Sequence, residues 1–209
     1  MAERRTEPAQ DLRTVLRWLA LLWSIEILDA VLTWFRGIPP EIPPHHPGWL
    51  GGGFLDFAYG LRPRDWEGSI GILTAPFLHA GWGHLAANSL ALMLLLWAAL
   101  GFSRRLTWAA CIISSLTAGI LTWLIAPTGT IHIGASGVIF GLVGFLLVNG
   151  VVRRGWMPLV IGVGVFLLYG GALSGMVPGM ADPGVSWQMH LGGFLGGVIA
   201  SWNLRKSKA

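Results

Sequence analysis

The run Trp82-Gly-His-Leu-Ala-Ala-Asn-Ser-Leu-Ala-Leu-Met-Leu-Leu-Leu-Trp-Ala-Ala-Leu-Gly-Phe102 settles the architecture. It carries no charged side chain, and it is as long as a helix must be to cross a hydrocarbon core of about 30 Å, which takes roughly 20 apolar residues. Five further stretches read the same way: Leu12–Phe35 before it, and Leu106–Ala126, Ala135–Val152, Trp156–Gly175 and Trp187–Leu204 after it. The whole chain agrees. Of its 209 residues 54% are hydrophobic and only 11% are charged, where a soluble domain carries about 25% charged. Once the ends and connections have taken their share, almost no charge is left to face water. A soluble fold, a disordered chain and a nucleic-acid binder are disfavoured, despite the net charge of +4. The single cysteine, Cys111, excludes an internal disulfide framework and a thiolate metal cluster. Twelve tryptophans and thirty glycines suit a packed helical bundle with interfacial anchors. The expected fold is an all-α integral membrane protein, a bundle of six transmembrane helices.

The first apolar run continues past Glu26 and Asp29 to Phe35 with no small-residue cleavage site behind it. It therefore reads as a span and not as a cleaved signal. Basic residues give the orientation. Arg4, Arg5, Arg13 and Arg17 precede or open the first span; Arg104 and Arg105 follow the second, Arg153 and Arg154 the fourth, and Arg205, Lys206 and Lys208 the sixth. Eleven of the fourteen basic residues thus fall on one side, while Arg36, Arg62 and Arg64 share one long connection on the other. The positive-inside rule places both termini in the cytoplasm. The expected organisation is a short tail (1–11), a membrane domain (12–204) and a basic tail (205–209), in the cell membrane. Trp82, Trp108, Trp156 and Trp187 near span ends fit an interfacial belt. Residues 37–81 are too long for an ordinary connection and too poor in helical period for a span. Their start, Ile38-Pro-Pro-Glu-Ile-Pro-Pro44, breaks helices. Their later part, including Phe54-Leu-Asp-Phe-Ala-Tyr59 and residues 70–78, is apolar enough for a half-submerged outer lobe.

Polar groups are costly in lipid, so each one asks for a reason. Spans two, four and six all run from outside to inside. Near their outer ends lie His84 and Asn88, one helical turn apart, then Gly134-Ala-Ser136-Gly137, then His190. Taken singly, each is as well explained as inter-helix hydrogen-bond glue or as one more small packing residue. Gly137, Gly141 and Gly144, with Gly193 and Gly197, are spaced for close helix packing in any case. Their agreement in depth, from three distant segments, is what points to a site.

Serine and histidine are the pair that a hydrolase needs. The hydroxyl is a poor nucleophile until a base takes its proton, and histidine suits that task near neutral pH. Spans two to six contain no Asp or Glu, so the economical reading is a Ser136–His190 dyad without a carboxylate. His84, the Asn88 amide and the Ser136 backbone N–H at a helix N-terminus are the candidate donors to an oxyanion. A helix from Ser136 to Arg153 is roughly 25 Å long, which sets the serine several ångströms below the outer boundary. The connection 127–133 must dip to reach it, and a water-filled cavity open to the outside follows. Glu26 and Asp29 share a face of span one and read as a bundle-facing, hydrogen-bonded pair rather than a proton relay.

The run Thr74-Ala-Pro-Phe-Leu-His-Ala-Gly-Trp-Gly-His-Leu-Ala-Ala-Asn88, then Gly134-Ala-Ser-Gly137, then His190-Leu-Gly-Gly193 with Gly197, resembles the rhomboid intramembrane serine proteases, over roughly residues 61–202. The resemblance implies Ser136 as nucleophile, His190 as its base, and His84 and Asn88 as helpers in binding the oxyanion. It also implies a substrate that is itself a transmembrane helix, cut near its outer end after entering between spans two and five. Three positions depart from the family pattern: Trp66-Glu67 where members often have Trp-Arg, Phe140 where a tyrosine often stacks on the histidine, and Ala75 where some carry a further histidine.

Three other readings compete. A catalytically silent relative that binds membrane clients would not need both Ser136 and His190. A histidine-ligated metal or haem protein would need better spacing than His79 and His84 offer, with no carboxylate or thiolate beside them. A transporter would need a polar path across the whole bilayer. The favoured chemistry needs no cofactor and no metal, and its partners are transmembrane protein substrates and the lipid bilayer, not nucleic acid.

Overall fold

The computed structural model describes residues 8–37, 52–152 and 156–203. The Pro-rich run 38–44 and the basic clusters at 4–5, 153–154 and 205–208 lie outside the described residues. The chain begins with α1 (Pro8–Arg36), then enters a lobe holding α2 (Phe54–Tyr59) and α3 (Gly71–Thr74), the latter between short 3-10 turns at Glu67–Ile70 and Ala75–Phe77. Long helices follow: α4 (Trp82–Leu100), α5 (Arg104–Ile125), α6 (Ser136–Val152), α7 (Trp156–Tyr169) and α8 (Trp187–Asn203). The fold is all-helical among the described residues, and each long helix coincides with an expected apolar stretch. Two of them, α4 and α5, are long and apolar enough to cross a membrane; α6 and α7 are apolar but shorter. The largest difference is in α7, which stops at Tyr169 rather than Gly175. Gly170 closes its last turn by donating to Phe166 O at 2.8 Å. The Gly170-Gly171 pair, costly in a helix interior, then lets the chain tighten into a 3-10 turn over Gly171–Met176.

Helix α6 is the axis of the bundle. Leu142, Val143, Phe145 and Leu146 are all buried. A side chain at Gly193 would overlap the Gly137 carbonyl, and one at Gly197 the Gly141 carbonyl, so the backbones of α6 and α8 touch. In lipid, where burying apolar surface gives no advantage, such close packing is what holds helices together. Thr117 of α5 adds a hydroxyl donated to Gly192 O of α8 at 2.7 Å. Helix α7 meets α6 where Gly150 faces Gly162, and it leaves Leu159, Val163, Phe166 and Leu167 exposed. On the opposite flank, Trp23 of α1 donates its indole N–H to Ser89 Oγ of α4 at 3.1 Å. The Arg104 guanidinium opening α5 reaches Asp11 Oδ1 at 3.1 Å and Thr14 Oγ1 at 2.9 Å.

The described part of the lobe, residues 52–81, grips both neighbours. Glu26 and Asp29 of α1 are buried, and Asp29 accepts the Leu55 N–H, tying α1 to α2. Asp56 accepts the Gly53 N–H at 3.1 Å. Its burial, and next the Asp29 charge, push its carboxyl up to about 8. On the other side, Leu61 and His132 exchange both backbone hydrogen bonds (3.0 and 2.9 Å). Arg64 donates to the carbonyls of Leu124 and Ala126 at 2.8 and 2.7 Å, covering groups that the C-terminus of α5 cannot satisfy itself. Where the family often has Trp-Arg, Trp66 is exposed and Glu67 lies 3.9 Å from Arg62.

Candidate active site

Ser136 is the first residue of α6, where backbone N–H groups lack intrahelical acceptors and the helix dipole favours negative charge. The turn before it fixes its direction. Gly134 has φ +118°, a conformation that a side chain resists, and it donates its N–H to Ala75 O of the lobe at 2.8 Å. Next to it, the Ala135 N–H points at His79 Nε2, 3.5 Å away.

His84 and Asn88 lie one turn apart on α4 and converge on that same turn. A Cβ at Gly134 would stand 2.8 Å from His84 Cε1, 3.0 Å from His84 Nε2 and 3.5 Å from Asn88 Nδ2. His84 Nδ1 accepts the Ala80 N–H at 3.3 Å, so in the neutral ring the proton sits on Nε2, the nitrogen beside Gly134. Asn88 Nδ2 is buried and has no hydrogen-bond partner among the described protein groups. A buried amide donor without a partner is uncommon and calls for an explanation.

His190 lies in the first turn of α8, stacked on Phe140 at 4.1 Å between ring centroids and 17° between planes. Phe140 thus occupies the stacking position where the family often has a tyrosine. His190 Nδ1 is 3.1 Å from the Gly175 carbonyl. Ser136, His190, His84, Asn88 and Phe140 all line one cavity of about 430 Å³. No hydrogen bond joins Ser136 to His190 among the described contacts; they share a wall of the cavity, and such pairs commonly tighten only when substrate binds.

Other residues of the site carried little sequence signal. His132 lines the cavity and bonds Thr130 Oγ1 at 2.8 Å; burial lowers its pKa to about 4. His79, fully buried, meets the His84 ring edge-on at 5.2 Å, and burial lowers it to about 3, so it stays neutral. Both sit in connections, where no periodicity marks a facing residue. Among the described residues no group of three or more His, Cys, Asp or Glu could hold a metal ion. A second cavity of about 390 Å³, bounded by Trp18, Leu22, Leu92 and Trp108, offers no histidine or carboxylate.

A family model described as a rhomboid domain matches residues 66–207. An uncharacterised protein of Mycobacterium tuberculosis (strain H37Rv) is 42% identical over 209 residues, covering 94% of this chain and 78% of the relative. One of Mycobacterium leprae is 39% identical, covering 94% and 74%. Rhomboid-like protease 5 of Toxoplasma gondii is 28% identical over 148 residues, covering 66% of this chain and 16% of the relative. No solved structure matches the chain significantly.

Proposed function

The chain belongs to the rhomboid family, and on that premise we propose that it is an intramembrane serine endopeptidase acting on transmembrane segments of other proteins. The reading includes six spans, both termini in the cytoplasm, and a cavity open to the outer face of the cell membrane. Ser136 Oγ attacks the scissile carbonyl while His190 Nε2 takes its proton. The carbonyl oxygen, now an anion, accepts from His84 Nε2–H, the Asn88 amide and the Ser136 N–H. His190 then gives the proton to the leaving amine, and the C–N bond breaks to leave an acyl-serine. A water, deprotonated by His190, hydrolyses that ester and returns the enzyme. No cofactor enters the cycle.

The observation that carries the reading is the meeting of Ser136, His190 and the partnerless Asn88 amide on one cavity, from three helices far apart in sequence. The decisive experiment offers a fluorophosphonate probe and a single-span reporter to purified protein in liposomes. Wild type labels and cleaves, whereas Ser136→Ala and His190→Ala lose cleavage by about 10⁴-fold or more. Folded wild-type protein that neither labels nor cleaves would shift the reading to a client-binding relative with no catalysis.

A further inference from the structure

Among the described residues His190 has no acidic partner. From α4 to α8 the one carboxylate among the described residues is Asp182, which is exposed on the connection between α7 and α8. What meets the imidazole at Nδ1 is a backbone carbonyl, that of Gly175, at 3.1 Å. The other constraints leave the ring little freedom: Phe140 covers a face, and a Cβ at Gly175 would already stand 3.4 Å from Nδ1.

We infer that the Gly175 carbonyl is a positioning group of this site: it holds His190 with its proton on Nδ1 and its lone pair on Nε2, so that the base is competent only while the connection 170–186 lies closed on α8. The kinetic half of this inference rests on the proteolysis reading above; the tautomer half rests on the geometry alone.

An amide carbonyl can only accept. The hydrogen therefore belongs to Nδ1, and Nε2 is left to take a proton from a hydroxyl. In soluble triads a carboxylate does this orienting and also stabilises the imidazolium. The carbonyl does the first without adding a net charge that would itself need a partner at membrane depth. The connection that supplies it is held mainly by its own local bonds. Leu173 N–H donates to Gly170 O, Val177 N–H to Ser174 O and Met180 N–H to Val177 O, and Ser174 Oγ donates to Gly171 O. The Leu173 side chain packs against the core, and the His190–Gly175 bond ties the segment to α8. A substrate that lifts the segment on entry thus releases the base, and chemistry waits until the segment settles again.

The test turns the carbonyl without touching the cavity. In Met176→Pro the following proline disfavours a helical ψ at Gly175 and swings its carbonyl away, while Met176→Ala keeps the backbone. Protein labelled with ¹⁵N-histidine, with the His190 signal assigned by its loss in His190→Gln, reports the tautomer directly. Wild type and Met176→Ala show His190 protonated at Nδ1 and bare at Nε2. Met176→Pro shows mixed tautomers, with kcat on the single-span reporter down about 10- to 100-fold and KM within about twofold. A fixed wrong tautomer costs a soluble triad enzyme about 10⁴, so mixing costs less. Wild-type His190 protonated at Nε2 would overturn the inference, as would a folded Met176→Pro with unchanged tautomer and kcat. If Met176→Pro does not fold, the wild-type spectrum decides alone. If wild type does not cleave, the proteolysis reading fails and the spectrum still decides the Gly175 assignment.

Discussion

One methyl group, added at Gly134, tests the proposed oxyanion site. Gly134→Ala puts a Cβ 2.8 Å from His84 Cε1, 3.0 Å from His84 Nε2 and 3.5 Å from Asn88 Nδ2. The first is closer than real Cβ contacts come and the second is tighter than most, so the His84 ring must yield by several tenths of an ångström and leaves its place beside the Gly134 turn. Donors act on an oxyanion over a window of about 2.7–3.1 Å, and losing one costs about 2.7–4 kcal/mol of barrier, or 10²–10³ in kcat. Moving His84 and crowding Asn88 together is expected to lower kcat about 100-fold with KM little changed. The φ of +118° adds backbone strain, about 1–3 kcal/mol, so the melting temperature falls by roughly 2–12 °C. Gly83→Ala is the control: one residue from His84, in the first turn of α4, it has nothing within 4 Å of its would-be Cβ. It should leave kcat unchanged and raise stability by a few tenths of a kcal/mol up to about 1, as Gly→Ala in a helix does. The assay is reporter cleavage in liposomes with kcat and KM resolved, beside thermal melts of both variants. Folded Gly134→Ala with kcat within about threefold of wild type would refute the assignment of His84 and Asn88.

Arg64→Ala removes two hydrogen bonds from the last carbonyls of α5; because the side chain is exposed, the expected loss is about 1–2 kcal/mol, read as a melting temperature lower by roughly 2–8 °C. Arg64→Lys, with one ammonium for two carbonyls, should recover only part of that, and full recovery would count against a bidentate cap. The Asp56 carboxyl is raised to about 8 from an ordinary 3.8, so between those values the folded protein holds a proton that the unfolded chain does not, and stability falls as pH rises. His79 and His132, both lowered, push the other way, but only below their ordinary 6.5. From pH 6.5 to 8 those histidines add little, and the part of the slope that Asp56 contributes is at most about 1.4 kcal/mol per pH unit. Melting temperatures across that range should fall more steeply in wild type than in Asp56→Asn; parallel slopes in the two would show that Asp56 is ionised in the fold.

The helices were legible because lipid leaves so little choice. A charge-free run such as 82–102 must form a helix that satisfies its own backbone, and the glycine spacing on α6 and α8 announced their contact. The polar residues His84, Asn88, Ser136 and His190 stood out against apolar neighbours for the same reason. Connections gave no such contrast. Gly175 is a glycine among many, and its contribution is a carbonyl, which sequence does not distinguish from any other. His79 carried a signal only as half of a poorly spaced pair with His84. Arg64 and Leu61 act through backbone geometry set by residues about 60–70 positions away, and no local pattern records such a pairing. The end of α7 was placed late because apolarity continues through Ala172 and Leu173, while the helix itself stops at the double glycine.

The outer lobe answers a problem that the serine creates. On the proposed topology a residue at the N-terminus of α6 lies below the membrane surface, so the chain must descend to it without helical hydrogen bonds. Backbone at that depth survives only where protein satisfies it. The lobe supplies those partners one by one: Leu61 takes both backbone groups of His132, Ala75 O takes the Gly134 N–H, and His79 faces the Ala135 N–H. Arg64 closes the helix from which the descent begins. Asp29 in turn fastens the lobe to α1 through the amide of Leu55, and Asp56 braces that stretch of the lobe through the amide of Gly53. Four of the bonds that hold the backbone of residues 132–135 therefore come from residues 61–79, upstream of α4. A lobe loosened at Asp56 or Arg64 reaches Ser136 through its neighbours' backbone, with the composition of the cavity untouched. The fold thus separates what the proposed chemistry uses, four side chains on three helices, from what holds it in register, the stretch 61–79 with only short helical turns of its own.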